Sequence, residues 1–451
     1  MADLTINSLL IAAGAIVLWS LLLYVLQRRG LLEPRGLQPS PPPAGPFLMW
    51  KTVRGRQLID RIARPARFWR FFGDLAIVLV GITMVGTTLL LLWEATLVQS
   101  PAVRGNPPSP DLLLGLPGIN PIIPLGYGIF GLAVAIILHE FSHGILARAA
   151  KIKIRSLGLI FLIFPIGAFV EPEEEELRAL PRRDRARLYA AGPATNMLLA
   201  VLFAVVFSSV MLAAVTPVHE GVGIVGFTQG VSPAQAAGMQ PYTVITSVNN
   251  VTIHSYADFR NEMSKTVVGQ NVTVEAFDPS TSASNKYHKY HVTLIAEAGT
   301  GRPLIGIFAI DVSTDYYHPL TNPDRFNGVP GAVLSYVSLP FQGRAPIDDP
   351  AIRFYRIGGP FAALPAPLFW ILVNAAYWLF WLNVMLGATN ALPAVPLDGG
   401  YIFKDGIEAL LSRVRKGIPT PQRDRIVRGV SMTFAFLILG LVLWQFIGPR
   451  I

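Results

Sequence analysis

Long apolar stretches alternate along the chain with polar and mostly basic segments. Stretches of about 20 uncharged residues can cross a bilayer, and the chain has six regions of this kind. They lie at 6–26, 75–93, 122–148 (with a polar end), 188–218, 358–397 and 429–449. The stretch 358–397 is too long for one straight span. The pattern predicts a polytopic α-helical membrane protein with about six spans.

Basic residues are concentrated in the segments that follow the first, third and fifth apolar stretches. The loop 94–121, in contrast, contains one basic residue, Arg104. Because cytosolic loops carry the excess of Lys and Arg, the three basic segments are expected in the cytosol and both termini on the outer side. We expect an integral protein of the plasma membrane.

Composition supports this interpretation. Hydrophobic residues make up 52% of the 451 residues and charged residues only 14%, with a net charge of +9. Soluble proteins carry about 25% charged residues, so a purely soluble enzyme is excluded. The positive charge follows the membrane topology, which argues against nucleic acid as a partner. With no cysteine, a metal site must use His, Asp, Glu or Asn.

The cytosolic segment after the third stretch has an unusual pattern. Residues 151–155 alternate between basic and apolar side chains, as in a half-buried strand, and 156–170 are apolar but too short to span. This pattern is typical of a buried strand pair, or of a re-entrant strand hairpin that lines a cavity. The acidic run 173–176 indicates a solvated face.

The region 219–312 is predicted to be a soluble domain on the outer side. Short strand-like stretches lie at 221–227, 244–248, 272–277 and 288–295. Two helices are expected, at 233–237 after a Ser-Pro pair and at 256–264 after Ser255. Short strands mixed with helices predict a small α+β or β-barrel module.

Five regions follow from these patterns. Residues 1–100 contain the first two spans and a basic, Pro-rich cytosolic loop, and 119–218 contain the next two spans. The soluble domain covers 219–312 and an outer linker covers 313–357. The last two spans lie in 358–451.

The strongest chemical signal is the sequence His139-Glu140-Phe141-Ser142-His143. Side chains at i and i+4 share one face of a helix, so both imidazoles could bind one Zn²⁺, with Glu140 beside them to take a proton from the attacking water. Ionisable residues inside a membrane span usually mark a functional site. The alternative is a polar cluster satisfied by hydrogen bonds between helices.

A second signal is the sequence Asn390-Ala-Leu-Pro-Ala-Val-Pro-Leu-Asp398-Gly-Gly. Its two prolines interrupt a regular helix, and its two glycines permit a turn. The broken segment lies at the cytosolic end of the fifth span, at the same depth as the His pair. Asp398 is therefore the natural third metal ligand, although a capping Asp at a helix end remains possible.

Together with Gly192-Pro-Ala-Thr-Asn196, these two motifs resemble the site-2 protease family of intramembrane metalloproteases. The resemblance covers the third, fourth and fifth spans. It implies one zinc ion held by His139, His143 and Asp398, and Glu140 as the general base. It also implies that Asn390 helps to hold the substrate carbonyl, and it gives Asn196 no catalytic role.

The soluble region resembles a PDZ domain, as some members of that family carry. The resemblance is carried by 230–234, 237–239 and 244–249, but Tyr242 and Thr243 replace the usual Gly-Asp pair. The fold is therefore expected to be an extracytosolic PDZ-like α/β domain inserted into the membrane protein. Peptide binding by strand addition and a purely steric role both remain open.

The function implied is intramembrane zinc proteolysis of membrane-anchored protein substrates. One alternative is a non-proteolytic metal-binding membrane scaffold or transporter that uses the same polar cluster. Another is a membrane-tethered zinc protease with a cytosolic catalytic domain, which the apolar surroundings of the HEFSH sequence argue against. The sequence identifies no particular substrate and no oligomeric state.

Overall fold

The computed structural model describes most of the chain. The described residues are 2–41, 45–113, 115–162, 164–228, 230–281, 286–297, 299–312, 323, 327–342, 345, 347–349, 351–415 and 417–451. Most of the first half of the predicted linker 313–357 therefore lies outside the described residues.

The helices of more than one turn follow the apolar pattern closely. They are α1 Ala2–Arg28, α2 Arg56–Ala63, α3 Ala66–Leu97, α4 Pro101–Gly105, α5 Leu125–Ala149, α6 Glu174–Ala179, α7 Arg182–Val205, α8 Pro233–Ala236, α9 Tyr256–Met263, α10 Val329–Ser338, α11 Ala366–Ala391, α12 Asp398–Val414 and α13 Thr420–Ile447.

The strands fall in two main regions. They are β1 Leu37–Ser40, β2 Phe47–Thr52, β3 Ile154–Leu162, β4 Phe164–Pro172, β5 Val215–Pro217, β6 Gly221–Phe227, β7 Val244–Val248, β8 Val251–Thr252, β9 Asn271–Phe277, β10 Tyr287–Thr293, β11 Ile295–Ala296, β12 Pro303–Leu304, β13 Ile307–Val312 and β14 Tyr355–Ile357.

Five helices in the described part of the chain are long and apolar enough to cross a membrane. They are Ala66–Leu97, Leu125–Ala149, Arg182–Ala214, Ala366–Ala391 and Thr420–Arg450. Helix α1 adds a shorter apolar portion, Gly14–Arg28. The chain is therefore built like an integral membrane protein, and the total of six spans stays a prediction.

The chain divides into two compact units. The first unit joins the residues up to Val201 to Trp378–Ile451. Within it, Gly131 of α5 lies against α11, and a Cβ there would be 2.7 Å from Leu382 Cδ1 and 3.3 Å from the carbonyl oxygen of Trp378. Small residues let helix backbones approach closely in a membrane. The two helices that carry the metal motifs thus pack together directly.

A four-stranded antiparallel sheet also belongs to the first unit. Its strand order is β1-β2-β3-β4, and β3 pairs with β4 in antiparallel orientation. That this strand pair is a re-entrant hairpin in the membrane stays a prediction. The basic, Pro-rich loop after α1, for which no strand is predicted, supplies β1 and β2. Strand β2 pairs with β3 from Leu48↔Phe161 to Thr52↔Leu157. The sheet thereby joins segments more than 100 residues apart.

The second unit is Leu202–Tyr377. Its main sheet has the order β10-β9-β7-β6-β13 and covers a core that includes Val222, Ile224 and Val272. Both predicted helices are confirmed, because the side chains of Ser232 and Ser255 cap α8 and α9. The strands and helices of 219–312 form the small α/β arrangement that the pattern predicts, and the bounds of this domain stay a prediction.

Candidate metal centre

The two histidines lie on one face of α5, as the i, i+4 spacing requires. Their ring centroids are 4.9 Å apart. His139 is buried, and the side chain of His143 is 12% exposed. Two imidazoles this close together on one apolar helix can supply two of the three protein ligands of a catalytic zinc site.

Asp398 is the first residue of α12, and residues 392–397 connect the end of α11 to it. A sharp turn brings it there, and the turn depends on the two glycines that follow Asp398. A Cβ on Gly399 would be 2.6 Å from the carbonyl oxygen of Leu392, and one on Gly400 would be 2.7 Å from that of Ala394. The turn therefore excludes side chains at both positions. A carboxylate at a helix N-terminus is also favoured by the helix dipole.

The structure brings the three predicted ligands together. Nε2 of His139 is 3.1 Å, and Nε2 of His143 3.3 Å, from Oδ2 of Asp398. All three ligand atoms lie within 4.8 Å of one another. Ligands about 2 Å from a tetrahedral zinc ion lie about 3.3 Å apart, so this donor set fits zinc and leaves a fourth position open.

Hydrogen bonding sets the orientation of His143. Its Nδ1–H donates to the carbonyl oxygen of Leu188 at 2.7 Å. Because a carbonyl only accepts, Nδ1 must carry the proton, which leaves the Nε2 lone pair free for a metal. Such outer hydrogen bonds usually fix the tautomer of metal-binding histidines. Nδ1 of His139, in contrast, is buried without a partner among the described residues.

Gly192 of α7 lies directly against the two imidazoles. A Cβ at this position would be 2.5 Å from Nε2 of His143 and 2.6 Å from Cε1 of His139, closer than side chains tolerate. Gly192 belongs to the motif Gly192-Pro-Ala-Thr-Asn196, but the sequence alone does not indicate its contact with the histidines. Its lack of a side chain leaves space beside the nitrogens that would bind the metal.

Glu140 points to the hairpin. Its Oε2 accepts a hydrogen bond from the backbone N–H of Val170 in β4 at 3.2 Å. Val170 also packs on α5, because a Cβ on Gly144 would be 3.1 Å from its Cγ1. The carboxylate next to the His pair is thus held by the strand beside it. No feature of the sequence predicts this backbone contact.

The two asparagines of the motifs differ in their surroundings. Asn390 is half-buried near the end of α11, and its Nδ2 donates to the carbonyl oxygen of Leu386 at 3.1 Å. Asn196 is fully buried one turn after Gly192, and neither of its amide atoms has a partner among the described residues. The structure thus places Asn390 on the helix that leads to Asp398, with its amide turned back to that helix.

Ion pairs tie the helix of Asp398 to α7. Arg185 donates to both carboxylate oxygens of Asp405, at 2.8 and 3.0 Å, and Arg182 donates to Glu408 at 2.8 Å. The side chains of Arg185 and Asp405 are only 18% and 14% exposed. The N-terminal half of α7, which also carries Leu188 and Gly192, is therefore joined to α12.

Comparison with known proteins agrees with this geometry. The model of a family described as Peptidase family M50 matches residues 127–438. An uncharacterized protein of Methanocaldococcus jannaschii is 22% identical over 447 residues, 97% of this chain and 98% of its own length. The zinc metalloprotease RasP of Shouchella clausii is 22% identical over 283 residues, 62% of this chain and 63% of its own.

One solved structure is similar to part of the chain. It is the PDZ domain of an SdrC-like protein from Listeria monocytogenes, which is 21% identical. The match covers 22% of this chain and 95% of that domain, with a TM-score of 0.18. This TM-score is too low for the likeness to establish a fold.

Proposed function

The chain belongs to peptidase family M50, and on this premise we propose that it is an intramembrane zinc endopeptidase. It would cut membrane-anchored proteins within or near their transmembrane segment. The observation that carries the proposal is that Nε2 of His139 and of His143 lie 3.1 and 3.3 Å from Oδ2 of Asp398. The two histidines lie on α5, which is long and apolar enough to cross a membrane. The zinc metalloprotease name of a relative supports the reaction class.

We assign the metal to His139, His143 and Asp398 and the general base to Glu140. When bound, zinc activates a water and polarises the scissile carbonyl. Glu140 takes the proton of the attacking water and then delivers it to the leaving nitrogen. Asn390 would turn its amide from Leu386 to the substrate carbonyl.

Strand β4 is the proposed holder of the substrate. A regular helix keeps its carbonyls in hydrogen bonds, so the substrate must unwind near the cut. β4 is the last strand in the order β1-β2-β3-β4, and Val170 beside Glu140 lies on it. An extended substrate could therefore add to its edge by backbone hydrogen bonds. Extended binding at this edge would present a carbonyl next to Glu140.

The soluble domain 219–312 is proposed to select trimmed substrates. Between α9 and β13 it has a groove of about 1100 Å³, lined by Tyr256, Phe259, Arg260, Met263 and Asp311 among others. β13 ends the order β10-β9-β7-β6-β13, so a peptide could add to it as a further strand. A groove of this kind fits an extended chain end better than a folded domain.

Cleavage by the full-length chain tests the proposal. The purified chain would be reconstituted in liposomes with a membrane-segment substrate. We expect cleavage that stops when a chelator removes the metal and returns with added zinc. Glu140→Gln should reduce cleavage by about 10²–10⁴-fold, the contribution of general acid–base catalysis, while one zinc per chain is retained. Undiminished cleavage by this variant would remove the role assigned to Glu140.

A metal-binding scaffold or transporter is the alternative. Such a protein needs the metal ligands but has no need of a carboxylate beside them, and Glu140 is both present and held in place. Zinc binding without any chelator-sensitive cleavage of membrane-segment substrates would favour this alternative.

A further inference from the structure

The N-terminal third of the chain reaches the catalytic helix. The family match begins at residue 127, so β1, β2 and α2 lie outside it. Even so, Ile59 of α2 is fully buried in one cluster with Ile145 and Leu146 of α5. Asp60 also forms an ion pair with Arg148 at the end of α5. The segment before the third span is thus part of the structure that supports the metal site.

A second contact of this segment passes through the sheet. Nζ of Lys51 in β2 donates to Oε2 of Glu171 in β4 at 3.3 Å, and Oγ of Ser156 in β3 donates to the same oxygen at 2.5 Å. One carboxylate therefore joins three neighbouring strands. Partial burial raises the pKa of Glu171, but hydrogen bonds from Ser156 and Lys51 outweigh this and lower the pKa below its usual value. Glu171 is accordingly ionised at neutral pH.

The next residue, Val170, donates its backbone N–H to Glu140. A connected path therefore leads from Lys51 through Glu171 and the β4 backbone to the general base. Successive side chains of a strand point to opposite faces, so Glu171 can hold β4 from one side while Val170 packs on α5 from the other.

We propose that Lys51 and Glu171 are positioning residues of the reaction. They fix β4 so that the Val170 N–H keeps the Glu140 carboxylate in place, and they give the cytosolic segment after α1 a part in catalysis. The inference rests on the proposed function, because it assigns Glu140 as the base. A small displacement of a catalytic group can cost a large factor in rate, so loss of either residue should slow the chemical step.

The chain offers a matched control. Nζ of Lys153 lies 3.9 Å from Oε1 of Glu176, and the side chain of Lys153 is 79% exposed. Lys153→Gln thus removes the same charge close to the same hairpin without breaking the path to Glu140. Lys51→Arg keeps the charge, and it should preserve most of the activity.

Kinetics of the reconstituted full-length chain test the inference. Lys51→Gln and Glu171→Gln should each lower kcat by about tenfold, with KM within about twofold and zinc content unchanged. The double variant should be no slower than either single variant, because both changes break one interaction. Lys153→Gln should match the wild type. Equal kcat in Lys51→Gln and wild type, or equal losses in Lys51→Gln and Lys153→Gln, would overturn the inference.

Hydrogen exchange separates this inference from the proposed function. Amides of β4 should exchange faster in Lys51→Gln and Glu171→Gln than in the wild type and Lys153→Gln, whether or not the chain cleaves a substrate. If the wild type cleaves nothing, the proposed function fails and the exchange result still decides the positioning role. Unchanged exchange of β4 in both variants would refute that role.

Discussion

At the residue scale, the space beside the histidines depends on Gly192. Gly192→Ala places a Cβ 2.5 Å from Nε2 of His143, so the imidazoles must move. We expect zinc affinity to fall by about ten- to a hundredfold, the range found when groups that orient metal ligands are lost. Competition with a chelator of known affinity measures it.

A second glycine supplies the control for this substitution. Gly126 on α5 has open space around its Cβ position, and Gly126→Ala should leave zinc affinity unchanged. Ala favours a helix more than Gly does, so loss of affinity in Gly192→Ala cannot arise from a weaker helix. Equal zinc affinity in Gly192→Ala and wild type would show that the crowding is relieved without moving the ligands.

The residues that could be predicted from the sequence are those with ionisable, metal-binding side chains. His139, Glu140 and His143 are set by helical spacing, and Asp398 is marked by the prolines and glycines around it. Gly192 could not be assigned, because its role depends on which helix lies beside it. The hydrogen bond from Val170 to Glu140 uses backbone atoms and leaves no trace in the sequence.

At the element scale, the position of α12 depends on its ion pairs with α7. Asp405→Asn removes the carboxylate charge that pairs with Arg185. The guanidinium of Arg185, whose side chain is only 18% exposed, then lacks its charged partner. We expect a loss of about 2 kcal/mol in stability, the range for hydrogen bonds to charged groups. Thermal denaturation in detergent, with the variant and wild type side by side, measures the difference.

An exposed ion pair serves as the reference for this prediction. Glu174 and Arg178 are paired one turn apart on α6, with side chains 68% and 78% exposed. Glu174→Gln should cost no more than about 0.5 kcal/mol. If both substitutions lower the melting temperature equally, the Asp405 pair has no special part in holding α12.

The long apolar helices and several short strands followed from the sequence pattern, and other elements did not. The third and fifth apolar stretches became α5 and α11, and the predicted strand at 221–227 became β6. The strands β1 and β2 were missed, because β1 pairs only with β2 in the described part of the chain, and β2 pairs with β3, which lies more than 100 residues away. Helix α12 was missed because it follows two prolines and is amphipathic rather than apolar throughout.

At the scale of the whole molecule, the charge pattern predicts which loops face the cytosol. The chain has no cysteine, so single cysteines can report accessibility. In right-side-out vesicles, an impermeant maleimide should label Ser109→Cys and Ser264→Cys at once. It should label Gln422→Cys only after the membrane is permeabilised, because Gln422 lies in the basic segment 404–428, which is expected in the cytosol.

All three positions are exposed in the structure, so a difference in labelling reports the side of the membrane and not burial. Immediate labelling of Gln422→Cys in sealed vesicles would reverse the predicted orientation. It would also place the metal site near the opposite face of the bilayer.

The zinc content of Asp398→Asn, compared with Glu140→Gln and wild type, tests the central claim most directly. Asp398 is 255 residues or more from the His pair in sequence, yet its Oδ2 lies 3.1 Å from Nε2 of His139. We predict one zinc per chain in the wild type and in Glu140→Gln, and a loss of most of the zinc in Asp398→Asn after identical purification. A full zinc complement in Asp398→Asn would contradict the account.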